Sequence, residues 1–209
     1  ARLAGGLLVP QHWAGAQNLP SIPYDPDQAR AIMAEVRLRH PAWFDAHGRL
    51  PLSFKTSSDA TRIRLATIYQ SQLKAIGIDL SVQSYDWGTF YSDIKQGRFQ
   101  LYSLAWVGIK SPDIFQYVFH SQATPPQGAN RGRYRDAKAD ALIEQAAAAE
   151  TLAQQARLYR RLQQHLQATL AVMPLWYEDQ YTVSGPKLRG YRLYSDGRFD
   201  GLLEATKTG

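Results

Sequence analysis

The sequence predicts an α/β fold, because stretches with the period of a β-strand alternate with stretches that have the period of a helix. Apolar residues alternate over Leu50–Thr56 and again over Ile78–Val82. The stretch between them carries Ile63, Ala66, Leu73 and Ile76 at helical spacing and ends at Gly77. A strand, helix and strand of these lengths predict a right-handed βαβ crossover with two parallel strands.

Length and composition indicate a globular chain. It has 209 residues, of which 44% are hydrophobic, and this is enough to bury a core. Its longest apolar stretch, Leu166–Tyr177, is interrupted by polar residues and falls short of the roughly 20 residues that a membrane span needs. The absence of cysteine excludes disulfides, thiolate nucleophiles and Cys-bound metals. A net charge of +6 permits attraction to polyanions without assigning a function.

The first 25 residues predict an extended arm followed by one helix. Three prolines and several glycines precede Asp25, which is a typical N-cap, and Pro26 suits the first helical position. An extended arm needs a surface to lie against, and we expect that surface to belong to a missing part of the protein. The first 13 residues show no signal peptide, and a chain that begins with Ala fits both a mature product and a piece of a longer one.

The remaining segments continue the α/β pattern. Ser57, Ser58 and Asp59 predict the cap of the first crossover helix, and Asp86 with Trp87 predict the start of the next, which ends at Gly97. Later segments are predicted from their periodicity and turn residues: a strand over Phe99–Trp106, helices over Asp136–Ala149 and Thr151–Ala171, a strand over Met173–Val183, and turn-rich β structure over Leu188–Leu203.

The sequence offers little support for catalysis. The five histidines have no metal-ligand spacing, and no phosphate-binding loop, nucleophile elbow or dinucleotide fingerprint is present. Glu178 and Asp179 are neighbours in a predicted strand, so their side chains should point to opposite faces. We therefore expect no enzyme activity, no catalytic residue, no bound metal and no cofactor.

Two features predict ligand contacts. Trp87 and Trp106 each lie at a junction between a strand and a helix, where open α/β sheets bind ligands. The segment Asn130–Arg135 mixes arginines with Tyr134, a combination that stacks on a base or clamps a carboxylate or phosphate. Two other interpretations stay open here: core packing for the tryptophans, and a solvated loop before the helix at Asp136 for the arginines. A nucleic-acid-binding domain that uses residues 131–135 is the alternative function.

The order of the segments resembles the C-terminal half of the bacterial solute-binding proteins of ABC importers that bind oligopeptides, dipeptides and nickel. The resemblance covers nearly the whole chain, and four stretches carry it: IPYDPDQARAIMAE, RLATIYQSQLKAIGIDLSVQSYDWGTFYSDIKQGRFQLYSLAW, GANRGRYRDAKADALIEQA and PLWYEDQYTV. It implies a type II periplasmic-binding-protein-like lobe with a mixed, mainly parallel sheet flanked by helices. It also implies a monomeric periplasmic protein that closes on a peptide-like or other polar organic solute and passes it to importer membrane subunits.

The resemblance also implies how the chain is divided. Residues 1–25 would form an arm or hinge segment, residues 26–183 the ligand-binding lobe, and residues 184–209 a segment that returns toward a missing N-terminal lobe. That lobe would carry the signal peptide. The resemblance also implies that nucleic acid is not a partner of the protein.

Trp87 and Trp106 match tryptophans that line side-chain pockets in oligopeptide binders of the family. Peptide binders place an Asp three residues after the second tryptophan, where it pairs with the ligand's ammonium group, and here that residue is Ile109, followed by Lys110. We therefore expect a ligand that is not held by a free N-terminal amine. The expected ligand contacts are Trp87, Trp106, Val107, Gly108, Ile109, Lys110, Asn130, Arg133 and Tyr134.

Overall fold

The computed structural model describes residues 1–20, 22–194 and 199–209. Its α-helices are α1 (Pro26–Arg39), α2 (Ala60–Lys74), α3 (Trp87–Lys95), α4 (Ile114–Phe119), α5 (Ala137–Ala148) and α6 (Leu152–Ala168). Its strands are β1 (Arg2–Leu3), β2 (Leu50–Ser57), β3 (Ile78–Tyr85), β4 (Leu101–Tyr102), β5 (Trp176–Tyr177), β6 (Leu188–Arg189) and β7 (Thr206–Lys207). Short 3-10 helices cover Pro41–Trp43 and Phe199–Glu204.

The chain divides into two compact units. The βαβ unit is Pro23–Leu104, and the helical unit combines Ala1–Ile22 with Ala105–Gly209. Within the described residues, no helix is both long enough and apolar enough to cross a bilayer. The division predicted from the sequence, at residues 25 and 183, refers to the expected two-lobed protein and stays a prediction.

The βαβ unit contains a parallel three-stranded sheet in the order β3, β2, β4. The strands β2 and β3 pair from Leu50 opposite Ile78 to Ser57 opposite Tyr85, so the predicted parallel pairing is confirmed. Phe54, Ala66 and Leu80 form its small buried core between sheet and α2. The side chains that pack around this core are Leu52, Tyr69, Leu73 and Val82.

Local signals predicted the helix ends of the βαβ unit correctly. Asp25, Asp59 and Asp86 each accept a hydrogen bond from a backbone N–H of the first turn of the helix that follows. Gly77 and Gly97 follow α2 and α3 with φ of 88° and 74°, the left-handed conformation that glycine adopts without a steric penalty.

The helical unit is built on α4, α5 and α6. Its core contains Phe115, Ile143 and Leu162, all at most 1% exposed. Asp136 caps α5 and Thr151 caps α6 with a reciprocal bond to Gln154, which confirms the two predicted helices within a few residues at each end.

The N-terminal arm lies against other parts of the same unit. Strand β1 pairs antiparallel with β5, and the Tyr177 hydroxyl donates toward the carbonyl oxygens of Gly6 and Leu8, each at 2.9 Å. The Gln163 amide donates to the Ala14 carbonyl at 2.8 Å, and Ala14 is completely buried. The expectation that a missing part of the protein must cover the arm is therefore wrong, because α6 and β5 cover it.

Two predicted strands are much shorter than expected. The strand expected over Phe99–Trp106 pairs only at Leu101–Tyr102, because the chain then leaves the βαβ unit after Leu104. The strand expected over Met173–Val183 pairs only at Trp176–Tyr177, because its partner β1 is itself two residues long. Near the C-terminus β6 pairs antiparallel with β7, and residues 195–198 of the predicted turn-rich region lie outside the described residues.

Candidate ligand-binding site

Trp106 lies in the irregular chain between β4 and α4, on the surface of the helical unit. It is partly exposed and packs against the unit's core. Tyr117 of α4 meets it edge to face, with ring centroids 6.3 Å apart and planes at 80°. The Arg131 guanidinium carbon lies over the indole, 5.2 Å from the ring centroid. The indole is thus held by an aromatic contact and a cation–π contact, each a favourable geometry.

Buried hydrogen bonds of Asn130 fix the loop that carries Arg131. The Asn130 side-chain N–H groups donate to the carbonyls of His120 and Tyr134, at 3.1 and 2.8 Å, and its Oδ1 accepts from the Tyr134 N–H at 2.8 Å. Asn130 is 2% exposed, so water cannot replace these bonds. The amide N–H of the preceding Ala129 donates to the carbonyl of Tyr117 at 2.8 Å. Asn130 therefore orders the loop, and the predicted ligand contact of this residue remains a prediction.

Arg133 and Tyr134 lie in the same loop and face different surroundings. Arg133 is exposed and adopts φ of 53°, an uncommon conformation for a residue with a side chain. The Tyr134 hydroxyl lies 2.9 Å from Thr169 Oγ1, and its ring meets Phe119 edge to face. Burial is the main cause that raises the pKa of Tyr134 above 10.0. Tyr134 thus connects the loop to the core, while Arg133 extends from it.

The segment after Trp106 has both buried and exposed side chains. Val107 is 79% exposed and Lys110 is exposed, whereas Ile109 packs against the core. Gly108 has φ of 69°, and a side-chain carbon there would meet no atom within 4 Å. Glycine is therefore needed for the backbone conformation and not for space.

Trp87 occupies the first turn of α3 in the βαβ unit and is 58% exposed. It stacks on Tyr91 with centroids 5.5 Å apart and planes 9° apart. The Asp86 side chain caps the helix, and its hydrogen bonds with Thr89 are the main cause that lowers the pKa of Asp86. The pair Trp87 and Tyr91 thus offers a flat aromatic surface at a fixed helix start.

An ion cluster that the sequence reasoning missed holds α3 on the sheet. The Asp93 carboxylate of α3 pairs with the Lys55 ammonium of β2 at 2.5 Å and also with the Arg98 guanidinium. Only 10% of the Asp93 side chain and 12% of the Lys55 side chain are exposed. A charged residue in the middle of an otherwise alternating strand was the available signal, but its partner could be found only from the fold.

Two of the histidines and the carboxylate of Asp179 have partners outside the candidate site. His120 Nε2 lies 3.2 Å from Glu144, and His165 Nε2 lies 2.9 Å from Asp136. Asp179 pairs with the N-terminal ammonium. Among the described residues, no group of three or more acidic or histidine side chains is placed to hold a metal ion.

Comparison with known proteins identifies the family. The family model described as "Bacterial extracellular solute-binding proteins, family 5 Middle" matches residues 1–127. The chain belongs to this family. The resemblance expected from the four sequence stretches is therefore confirmed.

Curated relatives include peptide binders. The chain is 29% identical over 209 residues to the "Probable di/tripeptide-binding protein 5" of Pseudomonas aeruginosa, covering 99% of this chain and 38% of that protein. It is 26% identical over 161 residues to the "Dipeptide-binding protein" of Escherichia coli, covering 77% of this chain and 30% of that protein. The chain thus spans less than half the length of these relatives.

Solved structures show the same fold. The oligopeptide-binding protein AppA of Bacillus subtilis, in complex with a nonapeptide, matches 100% of this chain and 43% of that one, with TM-score 0.78 and 20% identity. The periplasmic binding protein DppA of Helicobacter pylori, in complex with the peptide STSA, matches 99% of this chain and 39% of that one, with TM-score 0.79 and 21% identity. These likenesses confirm the predicted type II periplasmic-binding-protein-like α/β fold.

Within this family fold, the structure brings together only some of the predicted site residues. In the helical unit, Trp106, Ile109 and Tyr134 pack against one core, and Asn130 lies in the same unit, while Trp87 belongs to the βαβ unit. Arg131, which is not among the predicted ligand contacts, lies over the Trp106 ring, and the predicted ligand contact of Arg133 stays a prediction. The sequence showed three arginines at alternate positions but gave no indication of which one contacts the indole.

Proposed function

We propose that this chain contributes one lobe of the substrate-binding component of an ABC importer, which captures a peptide-like or other polar organic solute outside the cytoplasmic membrane. Membership of the solute-binding family over residues 1–127 carries the proposal. The peptide ligands of the relatives and structural neighbours named above support it. The chain acts by binding, without catalysis or a cofactor.

In this proposal the ligand surface of the helical unit is centred on Trp106. It also includes the residues that follow Trp106 along the chain, Val107, Gly108, Ile109 and Lys110, and the loop that carries Arg133 and Tyr134. Two properties support this choice. Trp106 combines partial exposure with fixed ring contacts, so that ligand binding costs little side-chain entropy. The buried Asn130 hydrogen bonds keep the adjacent loop in one conformation.

Trp87 is the corresponding ligand surface of the βαβ unit. Its indole is more than half exposed yet ordered by stacking on Tyr91. Large aromatic side chains with few rotatable bonds are suited to such contacts. We propose that the complete protein is a monomer, that it closes over the solute with a second lobe, and that importer membrane subunits receive the solute.

The proposal is tested on the complete gene product. Mass spectrometry of small molecules released on unfolding should find a defined solute, and calorimetry with a di- and tripeptide panel should show binding of one solute per protein. Affinity for a small solute should change little with salt. Binding of single-stranded DNA that weakens steeply with salt, with no solute bound, would instead support a nucleic-acid-binding function.

A further inference from the structure

Tyr117 adds an exposed aromatic ring to the surface around Trp106, and the ligand contacts expected from the sequence did not include it. Its ring meets the indole edge to face, with centroids 6.3 Å apart and planes at 80°. We propose that Tyr117 and Trp106 together form a subsite for an aromatic group of the solute, and that Tyr117 determines the preference for that group. This inference rests on the proposed function and names the class of solute that the same site takes.

Exposure distinguishes Tyr117 from the other aromatic and apolar residues of its helix. Helix α4 buries three side chains in the core of the helical unit, those of Phe115, Val118 and Phe119. Tyr117 is instead 47% exposed. Trp106 is less exposed than Tyr117, because its indole packs against the core and Arg131 lies over the ring. Tyr117 is therefore the more open ring of the pair and the one that a solute can contact over the larger fraction of its surface.

The angle between the two rings favours an aromatic group over a saturated one. Aromatic rings attract one another when they are offset-stacked or edge to face, because the face of a ring is negative and its edge is positive. Since the planes of Tyr117 and Trp106 stand at 80°, a third ring that is parallel to one of them is nearly perpendicular to the other. An aromatic group of the solute can therefore stack on one ring and meet the other edge to face. A saturated group of the same size gains only the burial of apolar area.

The backbone holds Tyr117 in place before the ligand arrives. The Tyr117 carbonyl oxygen accepts a hydrogen bond from the N–H of the buried Ala129 at 2.8 Å. The next residue, Asn130, is fixed by its own buried side-chain hydrogen bonds. The contact with Trp106 restricts the Tyr117 ring itself, which has few rotatable bonds. An aromatic group that binds between these rings therefore meets a preformed surface, which lowers the entropy lost on binding.

The test replaces the Tyr117 ring in the complete gene product. Tyr117→Leu keeps an apolar side chain without an aromatic ring, and Tyr117→Phe keeps the ring without the hydroxyl. Tyr181→Leu is the matched control, at an 87% exposed tyrosine of the same unit. Calorimetry compares Ala-Phe with Ala-cyclohexylalanine, whose ring is saturated. The ratio of the Ala-Phe affinity to the Ala-cyclohexylalanine affinity should be about three- to tenfold lower in Tyr117→Leu than in wild type. It should be unchanged in Tyr117→Phe and in Tyr181→Leu.

A second measurement does not depend on peptide binding. The Trp106 indole N–H resonance, assigned with Trp106→Phe, is followed during titration with 4-methylphenol and with its saturated analogue 4-methylcyclohexanol. The dissociation constants should favour the aromatic compound in wild type and in Tyr117→Phe, and Tyr117→Leu should lose most of this preference.

The outcomes separate this inference from the proposed function. A preference for 4-methylphenol that depends on the Tyr117 ring, with no peptide bound, would support the aromatic subsite and contradict the proposed peptide-like solute. Peptide binding with the same affinity ratio in wild type and Tyr117→Leu would agree with the proposed function and overturn the inference. A Tyr117→Phe variant that behaves like Tyr117→Leu would also overturn it, because the ring would then not be the group that selects the solute. Binding of neither peptides nor 4-methylphenol would overturn both.

Discussion

The Lys55 ammonium of β2 lies 2.5 Å from the Asp93 carboxylate of α3, and both side chains are nearly buried. This pair joins the central strand of the parallel sheet to the helix whose first turn carries Trp87. The ring of Tyr85 on β3 lies 5.3 Å from the same ammonium. The candidate aromatic surface of the βαβ unit is thus held in place by an electrostatic contact beneath it.

Replacement of Asp93 by Asn should destabilise the protein and change its response to acid. Hydrogen bonds from Lys55, followed by those from Arg98, lower the pKa of Asp93 below 3.8. The folded protein therefore binds this proton less readily than the unfolded chain, so the stabilisation is complete above pH 3.8 and disappears as the pH falls through the folded-state pKa.

Thermal unfolding against pH measures this effect. Near neutral pH the midpoint of Asp93→Asn should lie well below that of wild type, and the difference should narrow in acid. Asp79→Asn removes an exposed carboxylate from the same unit and should match wild type throughout. If the midpoints of Asp93→Asn and wild type differed by the same amount at every pH, packing and not charge would hold α3 on the sheet.

Replacement of Asn130 by Ala should loosen the loop over Trp106. It leaves the carbonyls of His120 and Tyr134 and the Tyr134 N–H without their partner. A buried group without a hydrogen bond costs roughly 1–3 kcal/mol. Hydrogen exchange should therefore become faster at the Tyr134 amide, and solute affinity should fall. Gln127→Ala, at an exposed position of the preceding turn, is the control. Unchanged exchange at Tyr134 would contradict the ordering role of Asn130.

Replacement of Ile109 by Asp should improve the binding of peptides with a free N-terminal amine. A carboxylate here would form a charge-assisted bond with the ligand ammonium, at roughly 1.5–3 kcal/mol. Calorimetry of a free peptide against its N-acetylated form gives the effect. Val107→Asp adds the same charge at a highly exposed neighbouring position and should not reproduce it. A strong preference of the wild-type protein for the free amine would show that another carboxylate anchors the ligand.

Sequence patterns correctly predicted those parts of this structure that depend on residues close to one another along the chain. The helix starts at Asp25, Asp59 and Asp86 and the parallel pairing of β2 with β3 follow from caps and from periodicity within short segments. The lengths of β4 and β5 could not be predicted in this way, because the length of a paired strand also depends on the strand that pairs with it. The same limit applies to the candidate site. Trp106 was predicted from its position along the chain, but the Arg131 contact depends on how Asn130 and Tyr117 fold the loop back.

Calorimetric titration of the complete gene product with its copurified solute, for wild type, Trp106→Ala and Trp43→Ala, tests the central claim most directly. Trp43 is 56% exposed and lies in the short 3-10 helix after α1, outside the candidate site. Loss of the Trp106 apolar contact should weaken binding by roughly 1–3 kcal/mol, about 5- to 150-fold in Kd, while Trp43→Ala should bind like wild type. Equal affinities of Trp106→Ala and wild type, or capture of no small solute by wild type, would contradict the account.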